Sequence, residues 1–175
     1  MSLLDEVADW CARGRLFVLE PYVSGQLIRR TIVLSAELHL LIYEPWDGPS
    51  WEYRCRSLWA YLDAFILGVS VTVAKRPFLA KKAYFAQLHP ASEEVWEIRS
   101  RNPRPSLRIF GRFAATDVFV ALTWSKRAVL GAAKSREWRD ARERCKSEWR
   151  RLFPAFEPHS GESLGDHIST GAVLV

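Results

Sequence analysis

A chain of 175 residues has the length of one domain, or of one domain with a substantial extension. Its 49% hydrophobic and 13% aromatic content is ample for a packed core and excludes a largely disordered chain. The net charge of +5 conceals a division: residues 99–151 carry 15 Lys/Arg against 5 Asp/Glu, and the rest of the chain 10 against 15.

An asymmetry of that size points to a polyanionic partner for the basic part. Cys11, Cys55 and Cys145 are far apart and form no CxxC or Cys/His spacing, so no zinc site and no other metal is expected. The odd cysteine count and an N-terminus without a basic region before an apolar run suggest the cytoplasm. The most apolar stretch, "LWAYLDAFILGVSVTVA", carries Asp63 and falls short of the roughly 20 residues of a membrane span, so no membrane partner is expected.

In chain order, Ser2 caps a first helix running to about Ala12 and ended by Gly14, with Leu3, Leu4, Val7, Trp10 and Cys11 on one face. "RLFVLEPYV" reads as a strand, and "LIRRTIVLSAELHLLIY" as one long strand or two. "EPWDGPSWEYR" reads as a loop, and "SLWAYLDAFILG" as a helix capped by Ser57 and closed by Gly68. "VSVTVA" is a strand, and Pro77 can open a helix over "PFLAKKAYFAQL".

"EVWEIRS", "LRIFGRF" and "VFVALTW" then read as three strands joined by short turns, an antiparallel meander. Period-two alternation puts Leu107, Ile109, Gly111 and Phe113 on one face and Arg108, Phe110 and Arg112 on the other. The best helix follows, "SREWRDARERCKSEWRRLF", capped by Ser135 and stopped by Pro154, with Trp138, Ala141, Cys145, Trp149 and Leu152 as its apolar stripe. The polar tail reads as loosely held. The expected organisation is an N-terminal extension over residues 1–70, which can complete the same domain, a core over 71–153 and a tail over 154–175.

Phosphate-binding glycine loops and the common hydrolase and metalloprotease motifs are absent from the sequence, and His39, His89, His159 and His167 are scattered. What remains is a basic set on and beside a small sheet. Arg108, Lys126 and Arg127 are the candidate catalytic residues. Arg99, Arg112, Lys81, Lys82, Lys134 and Arg136 are the candidate phosphate contacts. Guanidinium groups hold phosphates bidentately and stabilise charge that develops in a transition state. Such a set can promote attack of a 2′-hydroxyl on the adjacent phosphate without a metal or other cofactor. The seven Lys/Arg of the last helix are offset by Glu137, Asp140, Glu143 and Glu148, which favours a solvated amphipathic face over a phosphate track. Trp51, Trp59 and Trp96 are candidates for base stacking, with core packing the better reading for Trp59 and Trp96.

Over about residues 77–153 the order of elements, with "EVWEIR", "LRIFGRF", "VFVALTWSKRA" and the helix containing "EWRDARERCKSEW", resembles the RelE/HigB/ParE superfamily of bacterial toxins. The resemblance implies an α+β fold in which a small antiparallel sheet packs against helices. It also implies metal-independent cleavage of messenger RNA on the ribosome, or in the ParE branch action on DNA gyrase, and an antitoxin partner covering the basic surface. By the same resemblance Arg99 and Arg108 become phosphate contacts, and Lys126 and Arg127 the basic end of the third strand. Gly111 stands where the family often has tyrosine, and residues 1–70 have no counterpart. A non-catalytic interaction protein of this fold and a basic nucleic-acid-binding module are the alternatives.

Overall fold

A computed structural model of the protein describes residues 1–43, 46–75 and 82–175. Helix α1 (Leu3–Ala12) begins in a capping box in which Asp5 N–H donates to Ser2 Oγ and Ser2 N–H donates to the Asp5 carboxylate. The strand that follows, β1 (Leu16–Val18), is shorter than the sequence suggests. Its ladder ends with Leu19 N–H on the Ile32 carbonyl, two residues before Pro21, which has no N–H to continue it.

Strand β2 (Thr31–Ser35) runs directly into helix α2 (Ala36–Tyr43), so "AELHLLIY" is helical and not the continuation of a strand. Ser35 makes the switch: its Oγ accepts from Leu38 N–H and donates to the Leu122 carbonyl. Helix α3 (Pro49–Ile66) starts within the stretch expected to be a loop, with Pro49 in its first turn. Ser57 is therefore no cap; it lies inside the helix and donates to the Tyr53 carbonyl.

Strand β3 (Val71–Ala74) is where the sequence places it. The helix expected from Pro77 begins outside the described residues, but its second half is extended and forms β4 (Phe85–Gln87). Strands β5 (Trp96–Ser100), β6 (Leu107–Ala115) and β7 (Val118–Lys126) form the expected meander. Helix α4 (Arg136–Leu152) follows with Ser135 as its N-cap. The tail is not loose. It forms a short helix α5 (Leu164–His167), buries His167 and Ile168, and ends in β8 (Ala172–Leu174), paired with β3.

The protein is α+β, as expected, with the strands of the described residues in one sheet of order β1-β2-β7-β6-β5-β4-β3-β8. The sheet is mixed and not purely antiparallel: β2–β7, β3–β4 and β3–β8 are parallel pairs. Residues 1–70 thus supply two strands to the same sheet as the meander. Helices α2 and α3 pack on one face, over a core that includes Phe65, Phe85, Trp96, Phe113 and Phe119. Helices α1 and α4 pack on the other, over Val33, Phe110, Val120, Leu122 and Trp149. Burying each large apolar side chain contributes roughly 1.5–3 kcal/mol.

One irregularity matters for the site. Gly111 pairs with Ala121 and Phe110 with Thr123, so Leu122 is an extra residue in β7, a β-bulge. A bulge shifts the alternation of the residues beyond it.

Candidate polyanion-binding site

Glu97 and Arg99 are two residues apart on β5 and share the α4 face of the sheet. Arg108 on β6 is registered directly opposite Arg99. Like charges facing each other across a ladder repel, and Glu97 resolves the conflict. Arg99 Nε lies 2.7 Å from its Oε1 and Arg108 Nε 3.3 Å from its Oε2. All three side chains are buried, with residue exposures of 1% for Glu97, 6% for Arg99 and 8% for Arg108.

Burial pushes the Glu97 carboxyl above the ordinary carboxylate range, opposed by the positive charges of Arg99 and Arg108. Burial also pushes Arg108 down to about 10; Glu97 opposes this, and Arg99, Arg127 and Arg101 add to it. Each ion is costly to bury alone, and the pairing offsets that cost.

Arg101 and Arg127 stand just beyond this trio, at the end of the meander. Arg127 N–H donates to the Ser106 carbonyl and Ser106 Oγ to the Arg101 carbonyl, which closes the turn between β5 and β6 against the end of β7. The Arg127 guanidinium lies 5.7 Å from the Trp138 ring centre and donates to the Gly131 carbonyl. Among the described residues, Arg101, Arg104, Lys126 and Arg127 have no carboxylate within ion-pair distance. Four cations therefore collect at one end of the sheet without neutralisation.

The candidate residues do not all gather there. Lys126 is registered with Leu107 and points to the α3 face, its Nζ 5.4 Å from the ring centre of Trp51. Arg108, registered with Ser125, points to the α4 face. The two flank the sheet end from opposite sides. Trp51 lies 6.1 Å from Trp124 and neither ring is fully buried, so an aromatic pair borders the cations on the Lys126 side. Trp96 is core, as expected, and Trp59 is half-buried.

Arg112 is buried under α4, where it donates to the Glu93 carbonyl and its guanidinium lies 5.5 Å from the Trp149 ring centre. Lys82 precedes β4, two strands away from β6. Lys134 and Arg136 lie at the start of α4, where Arg136 faces Asp140 at 3.5 Å. Lys81 lies outside the described residues.

Among the described residues, most charges of α4 are spent on pairing, Arg139 excepted. Arg142 and Lys146 hold Glu93 at 2.8 and 3.0 Å, Arg144 pairs with Glu37, Arg150 with Glu143 and Arg151 with Glu148. Glu97, Arg101 and Arg104 escaped the sequence reading. Glu97 carried a signal: it alternates with Arg99 on a strand paired with "LRIFGR". Arg101 carried none, because the turn that places it is fixed by tertiary packing.

Comparison of the chain with models of known families, with characterised proteins and with solved structures gives no match.

Proposed function

We propose that the protein is a RelE/HigB-like, metal-independent endoribonuclease acting on messenger RNA, with an antitoxin partner that covers its basic surface. The observation that carries this reading is the unneutralised set Arg101, Arg104, Lys126 and Arg127 at the end of the meander, bordered by Trp51 and Trp124. Cations interleaved with aromatic rings suit a single strand, whose phosphates they bind while its bases stack.

In this reading Arg127 and Arg101 contact the scissile phosphate. The 2′-oxygen attacks phosphorus and loses its proton, the bond to the 5′-oxygen breaks, and that oxygen takes up a proton. The products carry a 2′,3′-cyclic phosphate and a 5′-hydroxyl. The guanidinium groups stabilise the charge that grows on the phosphoryl oxygens. Arg108, buried against Glu97, acts as a positioning residue that adds to the local field.

The second reading, binding of RNA without cleavage, is favoured by that same burial, since the arginine best matched to the family strand is not open to solvent. The test is regulated expression in a bacterial host with growth and message integrity followed together. Arrest with cut messages, abolished by Arg127→Ala, is the expected result. Arrest with intact messages would move the target to a protein, and no effect on either would leave binding alone.

A further inference from the structure

A recess of about 280 Å³ lies beside the arginine cluster, between β6, β7 and the start of α4. Its walls include Phe110, Thr123, Ser125, Leu130, Glu137 and Asp140. The volume is just under the range of about 300–1,000 Å³ typical of small-molecule sites, which suits a single planar ring system. The bulge at Leu122 puts Thr123 opposite Phe110, so its side chain is on the α4 face and lines the recess.

That hydroxyl is the informative atom. Thr123 is 3% exposed, and its Oγ1 is buried without a hydrogen-bond partner. A buried hydroxyl left unpaired is costly. A bulge that turns one into a recess next to a cationic cluster is the arrangement of a ligand site.

Resting on the RNA reading above, we propose that this recess takes a guanine base of the RNA whose phosphate meets Arg127. Arg127 connects to the recess through Trp138: its guanidinium lies 5.7 Å from the Trp138 ring centre, and Trp138 meets Phe110, one of the walls, edge-on at 5.9 Å. Ionised carboxylates only accept hydrogen bonds. The Glu137 carboxyl is held below the ordinary range first by its own backbone N–H and then by Ser135. Of the four RNA bases, guanine alone offers two adjacent donors, N1–H and the N2 amino group, to such acceptors. Adenine and cytosine set a lone pair next to their amino group, and uracil flanks its single N–H with two carbonyls. The hydroxyl of Thr123 is then the donor left for the O6 and N7 side, since Ser125 Oγ already donates to the Lys126 carbonyl, and Phe110 supplies an apolar wall. Reading unstacked bases on their edges is the general route to sequence preference in single-stranded RNA.

The experiment is equilibrium dialysis of the intact protein against each of the four nucleoside 3′-monophosphates. The guanosine nucleotide should bind best, and Thr123→Val should weaken it roughly tenfold, the worth of one buried hydrogen bond. The Glu137→Gln/Asp140→Asn variant, altered on the exposed side of α4, should erase the preference and serves if Thr123→Val does not fold. Equal binding of all four nucleotides, binding of none, or an unchanged guanosine affinity in the folded variants would overturn the proposal. RNA cut without base preference would overturn the recess alone. Guanosine nucleotide binding without RNA cleavage would keep the recess and overturn the cleavage.

Discussion

Arg108 and Glu97 meet diagonally across β5 and β6, Nε 3.3 Å from Oε2, in a place where neither reaches water freely. Arg99 shares the same carboxylate, so one buried acid faces two buried guanidinium groups. Glu97→Gln keeps the shape and removes the charge, which leaves the buried Arg108 without its carboxylate. The expected loss is about 3–5 kcal/mol, measured by urea unfolding. Lys126→Ala, at an exposed position, should stay within about 0.5 kcal/mol. A Glu97→Gln protein as stable as the parent would mean that water, not Glu97, carries the arginine charge.

The distribution of paired and unpaired cations gives a second expectation. Arg101 and Arg127 have no carboxylate partner, whereas Arg142 holds Glu93 at 2.8 Å. Each phosphate contact contributes about 0.7 to the salt slope of single-strand binding through counterion release. Arg101→Ala and Arg127→Ala should each flatten the slope by about that amount, and Arg142→Ala should leave it unchanged. Titration of labelled RNA across a salt series measures this. Equal effects from all three would spread the interface over α4.

The meander and α4 were legible because their periods are clean. Trp96 and Ile98 alternate with Glu97 and Arg99, and α4 has one apolar stripe against charge. Helix α2 was not legible, because Leu38, Leu41 and Ile42 are buried while neighbouring Leu40 is also apolar, so neither period stands out. Pro49 was read as a loop residue when it opens α3. The parallel partners of β2 and β3 come from distant sequence, which local pattern does not encode. The site shows the same division. In the sequence Arg108 shares a face with Arg112 and Arg99 is a candidate contact, but their facing register is not legible there, and the bulge at Leu122 shifts the alternation along β7, so the face of Lys126 and the inward turn of Thr123 were hidden.

Gly111 is fixed by space. A Cβ there would lie 2.2 Å from the Val120 carbonyl oxygen and 2.5 Å from the Phe119 ring. One neighbour is backbone and the other a buried aromatic, so neither yields cheaply. Gly111→Ala should cost at least the roughly 1–3 kcal/mol of an overpacked core, read as a lowered melting temperature. A tyrosine at this position should prevent folding, and a stable Gly111→Tyr protein would show that the bulge can relocate.

The cysteines should separate by reactivity. Burial pushes Cys55 up to about 11 and Cys145 up to about 12, while Cys11 is only partly buried. The thiolate is the reactive form. A thiol reagent should modify one residue per native chain, Cys11, and all three after unfolding. Peptide mapping that finds Cys145 labelled in the native protein would show that α4 opens from the sheet.

Glu94 ties the tail to the sheet and should set the acid limit of stability. Its Oε2 accepts from His167 Nε2, Trp96 Nε1 and Gln87 Nε2 at 3.0, 3.1 and 3.2 Å. Burial acts to raise the carboxyl, but the hydrogen bonds from His167, Trp96 and Gln87 outweigh it and hold Glu94 below the ordinary carboxylate range. The folded state then binds this proton less readily than the unfolded chain. The stabilisation is fully present above the ordinary carboxylate range and is lost as the pH falls through the depressed value. Glu94→Gln should be less stable than the parent at neutral pH, and the gap should close as both are acidified. Paired unfolding curves over a pH series measure the gap. A gap that stays constant into acid would mean that Glu94 acts through shape alone and that His167 does not depend on its charge.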